Sequence, residues 1–491
     1  MMAWCESSAR KMPGHSYTDF LQRVRRHRPS DLLIALAHTS VSLWPQEAWT
    51  ADRVRFPWSV AAAAKASIVA GNEHRKPGVS ERDVIEICQA YNALDTSLAQ
   101  QPADLSETVG AFLVRTSYEQ FSYQQSHFEE ISRLGALFET VEELETEILD
   151  RGLIERVLGC SLEQFVVAGF VLATSTQANT GFFDPDWPAL REGRHAIDLH
   201  FSIDTVRRIF EQQFLADFEQ IRVAARKAEQ SDVRLRHHEF NPLVSRPFVT
   251  LPDGSHIAPQ PHFVFQRLSP AALYYAAVEA LDAEEANAFT RDIGLLCENY
   301  VGRQLRLIPN ATVLPEIRYD DDQLSVDWFV IFDELVVLVE VKSTRMSQLA
   351  RMGGNKLNED VKRSLGKAYK QVARTDQLLT DGHAAFADVP ADRPRIAIIA
   401  TPEPYWHANS PFLAELLPQP AIPTSVSSLR ALERLVDVLR AVGGPAPLTN
   451  VHEDPDRRTW NLENALPDLQ TEKNPILDMA WRRFPFPTGD S

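Results

Sequence analysis

The sequence is poor in the residues that build disulfide frameworks and zinc sites. It has only 4 cysteines in 491 residues, they lie far apart, and no Cys-x-x-Cys pair occurs. These absences argue against a zinc ribbon or finger and against a secreted disulfide scaffold. Because scattered reduced thiols are typical of the cytosol, we expect a cytoplasmic protein.

Long apolar segments and the common nucleotide-binding and hydrolase motifs are also missing. The N-terminal stretch MMAWCESSARK lacks the apolar core of a secretory signal, and the longest apolar run, 165–173, is too short to span a bilayer. The absence of a Walker loop argues against ATP-driven translocation by this chain. The absence of a Gly-x-Ser-x-Gly elbow argues against serine hydrolysis. We therefore expect a soluble protein without a membrane segment.

Acidic residues outnumber basic ones, 67 to 50, and the formal net charge is -17. This balance argues against a protein that coats nucleic acid over its whole surface. It leaves local binding open, because only a cleft must attract phosphate. The apolar content of 44% is ordinary for globular proteins, and the length suffices for two to four domains with packed cores.

The first half of the chain has the pattern of amphipathic helices. In GVSERDVIEICQAYNAL, Ser80 precedes Asp83 by three residues, which predicts a capping box before a helix. The segment 202–230 repeats the helical spacing, with Ser202 as N-cap. Short β-type runs around the turn residues 252–254 predict a hairpin.

From about residue 286 the order of elements indicates an α/β domain. A helical segment is followed by three strand-like runs, ATVLPEIRY, LSVDWFVIF and LVVLVEVKS, and then by a helix, a strand, a short strand and a closing helix. The last two runs are separated only by Asp333 and Glu334, which predicts an antiparallel hairpin. The order αβββαβ, with extra elements, predicts a mixed sheet.

The fold class expected from these patterns is a multidomain protein with a mostly α-helical N-terminal half and a C-terminal α/β domain. The predicted regions are a helical region 1–239, a β-containing connector 240–285, an α/β domain 286–445 and a Pro- and charge-rich C-terminal tail 446–491. We expect the tail to be partly disordered or wrapped over the surface.

Three charged residues interrupt the apolar hairpin: Asp327, Glu340 and Lys342. A buried charge costs several kcal/mol unless it is paired or bound to a metal. Because side chains alternate along a strand and neighbouring strands lie about 5 Å apart, the two acids can converge on the face that carries Lys342. Two carboxylates and a backbone carbonyl suit Mg²⁺, and the lysine can stabilise the transition state of phosphodiester hydrolysis. The alternative is a strand-end ion pair of Glu340 and Lys342, with Asp327 solvated at the edge.

These residues, in this order, resemble the PD-(D/E)xK nuclease superfamily, which has the restriction-endonuclease-like fold. The family's aspartate falls on Asp327 and its E-x-K on Glu340-Val341-Lys342, and the resemblance covers roughly 286–442. The sequence departs from the pattern at Val326, which replaces the proline. It also lacks the Gln-x-x-x-Tyr motif that marks one exonuclease branch.

The resemblance implies further site residues and a cofactor. A helix acid of the family matches Glu298, so the implied metal ligands are Asp327, Glu340 and Glu298, binding Mg²⁺ with Mn²⁺ as a substitute. The alternative for Glu298 is a solvated helix residue. The implied contacts to nucleic acid come from the polar helix after E-x-K: Lys367, Lys370, Gln371 and Arg374.

Local charge supports phosphate binding near the motif. From 342 to 374 the chain carries 9 basic residues, opposed only by Glu359 and Asp360. In an acidic protein this basic belt can attract a phosphate backbone. The alternative is an ordinary solvated helix face.

The sequence therefore predicts an Mg²⁺-dependent DNA endonuclease, and the resemblance adds an expected role in defence against foreign DNA. Two alternatives stay open: an RNase with the same site, and a non-catalytic scaffold or regulatory subunit that keeps the nuclease fold to bind nucleic acid. The helical half is expected to provide target selection, oligomerisation (a homodimer or a partner protein) or a sensor surface.

Overall fold

The structure is a computed structural model that describes residues 16–44, 50–94, 105–186, 202–230, 233–353 and 356–486. The chain forms two compact units. The first unit consists of Met1–Gln101 and Val167–Arg267, and the second of Pro102–Val166 and Leu268–Ser491. These units differ from the regions drawn on the sequence. Part of the expected helical region belongs to the second unit, and the expected connector 240–285 is divided between the two.

The first unit is mostly helical and contains one small sheet. Its α-helices, among the described residues, are Tyr17–Val24, Pro29–Ser42, Pro57–Ala70, Glu81–Asn92, most of Leu162–Ala178, Ile203–Ile209, Phe218–Ala228 and His262–Gln266. The sheet has the order Phe182–Phe183, His256–Ile257, Phe248–Thr250, Leu215–Ala216. The predicted capping box is confirmed, because Ser80 and Asp83 exchange hydrogen bonds. The hairpin predicted at 252–254 is confirmed by the antiparallel pairing of Val249 with Ile257.

The spacing of apolar residues in 202–230 predicted a helix throughout this segment. The structure shows that the helix is interrupted. Its first helix ends in a π-turn, Phe210–Phe214, and the next two residues form a strand that pairs with Phe248 and Val249. Asp217 then starts a new helix through a capping box with Gln220. The aspartate cap and the strand pairing outweigh the helical pattern at this position.

The second unit contains a five-stranded mixed sheet. We label its strands β1 (Thr312–Pro315), β2 (Trp328–Ile331), β3 (Val336–Val341), β4 (Arg395–Thr401) and β5 (Thr424–Ser428). Their spatial order is β5-β4-β3-β2-β1, with β2 antiparallel to both of its neighbours, β1 and β3, and with β3, β4 and β5 parallel. The hairpin predicted from the short turn at Asp333 and Glu334 is thus confirmed. A separate small hairpin, Arg318–Tyr319 with Gln323–Leu324, lies in the chain between β1 and β2.

Three long helices accompany this sheet: α1 (Ala283–Leu305), α2 (Leu357–Thr380) and α3 (Leu429–Val442). The other α-helices of the unit are Leu105–Gln120, His127–Phe138, Arg151–Leu158, Pro270–Ala280, Gln348–Arg351, Pro411–Ala414, Ala446–Glu453, Leu462–Ala465 and Pro475–Arg483. Helix α2 covers one face of the sheet. The buried core there contains alternate residues of two strands and one stripe of α2: Phe329, Ile331, Val336, Leu338, Leu365, Ala368 and Val372.

The expected tail, 446–491, is folded up to residue 486. It forms three of the helices given above, and Leu448 and Val451 are buried. The last helix packs against His127–Phe138, and Phe484 lies against Gly135. We expected a tail that is partly disordered or wrapped over the surface, because proline and charge dominate the composition. The buried apolar residues Ile476, Ala480 and Phe484 nevertheless recur every four residues, which is the spacing of one helix face.

One stretch of the described residues, Arg151–Ala178, is long and apolar enough to cross a membrane by length and composition. It is longer than the run 165–173 noted in the sequence. In the structure it is two helices, since Gly159 ends the first at a positive φ of 72° and Leu162–Ala178 follows. Of its most apolar window, 56% is buried inside the protein.

Candidate active site

The β2–β3 hairpin brings the three charged residues together. Trp328 pairs with Val339, so Asp327 lies opposite Glu340, one step further along the ladder. Directly opposed residues in an antiparallel pair point to the same side of the sheet. Lys342 follows two residues after Glu340, shares its face, and its Nζ contacts Glu340 Oε1. Asp327, Glu340 and Lys342 therefore share one face at one end of the hairpin.

The backbone of β3 fixes the carboxylate of Asp327. The Val341 N–H donates to Asp327 Oδ2 at 2.5 Å, and Asp327 is only partly exposed. The alternative in which Asp327 is a solvated edge residue is therefore wrong. The ion pair of Glu340 and Lys342 that formed the other half of this alternative is present.

The ion pair does not satisfy Glu340. Its side chain is 0% exposed, and its second oxygen, Oε2, has no hydrogen-bond partner among the described residues. A buried carboxylate oxygen without a partner is costly and calls for a missing ligand. Together with Asp327 it supplies the hard anionic oxygens that Mg²⁺ prefers, so these residues fit the expected cation.

Burial and mutual repulsion raise the pKa values of the acids at this site. Burial, followed by the charge of Asp327, raises the pKa of Glu340 to about 8, against the opposing effect of Lys342. Burial also raises the pKa of Asp327 to about 6 and that of Glu298 to about 7. Several carboxylates that resist ionisation together are typical of a cation-binding site.

Glu298 lies near the pair but does not complete a three-carboxylate site. The charge of Asp327 contributes to its raised pKa. Across the residues whose positions are described, however, no three His, Cys, Asp or Glu side chains group closely enough to hold a metal ion. The backbone carbonyl of Glu298 accepts from Trp328 Nε1 at 3.1 Å, and Trp328 points to the opposite face from Asp327. The role of Glu298 as a metal ligand stays a prediction.

Helix α1 is held against β2 by the indole of Trp328. The indole donates a hydrogen bond to the Glu298 carbonyl, and the Arg306 guanidinium lies 4.6 Å from the centroid of the same ring. Gly302 faces the ring so closely that a Cβ at that position would lie 2.2 Å from Trp328 Cζ2. Since Trp328 is adjacent to Asp327, this contact determines where α1 and the site strand meet.

Gly302→Ala is expected to destabilise the protein by about 1–3 kcal/mol, because the added methyl overpacks the contact with Trp328. Urea unfolding followed by tryptophan fluorescence measures the change. The matched control is Gly366→Ala in α2, where a Cβ meets nothing within 4 Å and the better helix propensity should add about 0.5–1 kcal/mol. Equal effects at both positions would contradict this account of the contact.

The sequence reasoning missed a fourth acid, Glu316. Pro315 of β1 pairs with Trp328, so Glu316 lies opposite Asp327 on the other side from Glu340. The charge of Glu316 adds to the raised pKa values of Asp327 and Glu298. The sequence offered one signal for Glu316, an acid directly after an apolar strand. The register of that strand with β2, however, depends on pairing across a longer connection.

The α2 residues that were predicted to bind nucleic acid differ in their exposure and in their contacts. Lys367, Lys370 and Arg374 are exposed, and the two lysines have no ion-pair partner in the described part of the chain. The Arg374 guanidinium stacks 5.3 Å from the Tyr319 ring centroid. Gln371 instead donates from Nε2 to the Ser325 carbonyl at 2.6 Å. Its amide N–H thus joins α2 to the start of the strand that carries Asp327, and this donor is not free to bind nucleic acid.

Part of the basic belt is neutralised within the fold. Arg345 and Arg351 both lie against Glu403, and Arg363 pairs with Asp360. Glu403 lies beyond the segment 342–374, so the local charge count from the sequence did not include it.

In metal-free protein, Glu340→Gln is expected to gain stability over the wild type as pH rises from about 5 to about 8. The folded-state pKa of Glu340 is about 8, whereas an unfolded glutamate titrates near 4.3. Between these values folded Glu340 holds a proton that the unfolded chain has released. The free energy of unfolding of the wild type therefore falls as pH rises through this window, and the amide removes that loss.

With allowance for the pairing to Lys342, the gain at pH 8 should be on the order of 2 kcal/mol. Urea unfolding in EDTA at several pH values measures it. Glu334→Gln, an exposed change in the turn of the same hairpin, is the matched control. A stability difference between Glu340→Gln and the wild type that does not change with pH would count against the buried, unsatisfied carboxylate.

Comparison with known proteins adds little. No family model and no curated protein matches the chain. One solved structure that it matches is the small subunit of the heterodimeric restriction endonuclease R.BspD6I, at 12% identity and a TM-score of 0.22, over 39% of this chain and 90% of that chain. A match at this TM-score supports no conclusion about this chain.

Proposed function

We propose that the second unit is a PD-(D/E)xK-type, Mg²⁺-dependent nuclease that hydrolyses phosphodiester bonds in DNA. The observation that carries the proposal is the convergence of Asp327, Glu340 and Lys342 at one end of the hairpin, where a fully buried carboxylate oxygen lacks a partner among the described residues. Buried carboxylate oxygens in ion pairs that serve only the fold usually have hydrogen-bond partners.

The carboxylates of Asp327 and Glu340 would hold the cation. When bound, a divalent ion supplies Lewis-acid stabilisation of the negative charge that develops on the scissile phosphate. The Val341 N–H holds Asp327 Oδ2, so the carboxylate is already oriented before any ligand arrives. Such preorganisation avoids rearrangement during the reaction.

Lys342 supplies the positive charge of the site. Its ammonium has three N–H donors, of which one is directed at Glu340 Oε1. The remaining donors can bind a non-bridging phosphate oxygen and orient the attacking water. In the reaction, the water oxygen forms a bond to phosphorus, one P–O ester bond breaks, and a proton passes to the leaving alcohol oxygen.

Asp327→Asn is the direct test of this function. The asparagine oxygen can still accept from the Val341 N–H, so the fold is retained while the charge is lost. We expect Mg²⁺-dependent cleavage of plasmid DNA by the wild type, none in EDTA, and at least a hundredfold slower cleavage by the variant. Asp333→Asn, at the turn end of the same hairpin, is the control and should cut normally.

The same assay separates the alternatives. Cleavage that persists in EDTA and in Asp327→Asn would refute the site. Cleavage of RNA but not DNA, lost in Asp327→Asn, would identify an RNase. Binding without cleavage of single-stranded DNA, duplex DNA or RNA would favour the scaffold. The homodimer, a partner protein and the role in defence stay predictions of the resemblance.

A further inference from the structure

Arg345 lies three residues after Lys342 and is buried beside the proposed site. Its side chain is only 7% exposed. Its guanidinium carbon lies 3.6 Å from the Tyr274 ring centroid, and Nη1 donates to the Ser343 carbonyl at 3.2 Å. Stacking and this local hydrogen bond fix the guanidinium close to the backbone that follows Lys342.

The residue that accepts from Arg345 also lies against helix α1. Ser343 directly follows Lys342, and a Cβ at Gly294 of α1 would be 3.4 Å from Ser343 Oγ. Arg345 is therefore fixed beside the segment that joins Lys342 to this helix contact.

The donors of Arg345 are largely unused. Nε lies 2.8 Å from Glu403 Oε1 but is not directed at it, so this contact is an ion pair without a hydrogen bond. No described residue accepts a hydrogen bond from Nη2. Arginine has five N–H donors in a planar fork, and burying it without acceptors is costly.

Glu403 does not balance the local charge. It faces two arginines, Arg345 and Arg351, so the three residues carry a formal charge of +1. Arg351 is well satisfied, since Nε donates to the Met346 carbonyl and Nη2 donates to Tyr275 and Glu403. The unused donors and the excess positive charge therefore both belong to Arg345.

We propose that Arg345 binds a phosphate of the nucleic-acid strand next to the scissile one. This inference rests on the proposed function, because it takes the Lys342 site as the position of the scissile phosphate. A buried, stacked arginine with its donors unpaired matches the bidentate geometry of phosphate oxygens. The site accordingly takes a polynucleotide strand with a flanking phosphate, and Glu403, Ser343 and Tyr274 position the guanidinium.

The test is binding, in EDTA, of a short fluorescein-labelled DNA duplex, measured by fluorescence anisotropy over a range of NaCl concentrations. One phosphate contact contributes about 0.9 to the slope of log K against log salt concentration. For Arg345→Met we expect roughly tenfold weaker binding and a slope smaller by about 0.9. Arg345→Lys should keep most of the slope and lose affinity, because the planar fork is gone.

Arg393→Met is the matched control. It removes the same charge from a partly buried arginine that donates to the Phe332 carbonyl, at the turn end of the hairpin. The control should leave the slope unchanged. A slope for Arg345→Met equal to that of Arg393→Met, or no salt-dependent binding by the wild type, would overturn the inference. Because no cleavage is measured, binding of the expected kind by a protein that never cuts would refute the nuclease and leave the phosphate contact standing.

Discussion

Lys342→Met is expected to slow Mg²⁺-dependent cleavage by a factor of about a hundred to a thousand or more, because it removes the ammonium beside the reacting phosphate. The change leaves both carboxylates in place. Glu340 loses its contact with Nζ, so its two oxygens become available to a cation. Metal affinity should therefore stay within a few-fold of wild type, while the cleavage rate falls.

Two measurements on the same preparation test whether the cleavage rate falls while the metal affinity is retained. Single-turnover cleavage of a labelled duplex gives the rate, and titration with Mn²⁺ gives the metal affinity. Lys473→Met, an exposed lysine in the C-terminal segment, is the matched control for loss of charge. Near-wild-type cleavage by Lys342→Met would remove the lysine from the mechanism. Loss of both metal binding and cleavage would mean that the lysine acts by supporting the carboxylates that hold the metal.

Arg133→Met is expected to destabilise the second unit by about 3–5 kcal/mol, since it breaks a buried ion pair on one side only. Arg133 and Glu433 are 3% and 5% exposed, and the guanidinium donates to both carboxylate oxygens at 2.6 and 2.5 Å. The Tyr300 hydroxyl donates to the same carboxylate at 2.6 Å. The variant leaves Glu433 buried with the tyrosine as its remaining partner among these groups.

Urea unfolding at neutral pH measures the loss. The double variant Arg133→Met/Glu433→Leu should recover most of it, because the most deeply buried carboxylate is removed together with the arginine. Glu130, the other partner of Arg133, is 18% exposed and can be solvated. Arg482→Met, which breaks an exposed pair with Asp478, should cost less than about 1 kcal/mol. If the double variant were as unstable as Arg133→Met, the loss would come from packing and not from a stranded charge.

The sequence predicted the β2–β3 hairpin and the placement of its three charged residues. The run that contains Asp327 and the run that contains Glu340 and Lys342 alternate with period two and are joined by a short turn. A short turn restricts the register between two strands, so strand periodicity and turn length suffice to place these residues on one face. The same local reasoning placed the capping box at Ser80.

Contacts between segments that are distant in the chain could not be predicted from strand periodicity and turn length. Glu316 reaches the site only because β1 pairs with β2 in one particular register, and Gln371 turns toward Ser325 only because α2 covers that face. The stack of Arg345 on Tyr274 and its pairing with Glu403 join segments far apart in the chain. Composition did not reveal the last C-terminal helix for a similar reason, since its burial depends on packing against a helix more than three hundred residues earlier.

By itself, therefore, the sequence determined which charged residues the hairpin brings together and which side of the hairpin they occupy. Only the tertiary structure decided what surrounds them: the added acid, the arginine fixed nearby and the helix that closes over the sheet. The division follows from physical range. Alternation and turn length act between neighbours in the chain, whereas long-range strand register and helix packing are set by burial of the whole unit.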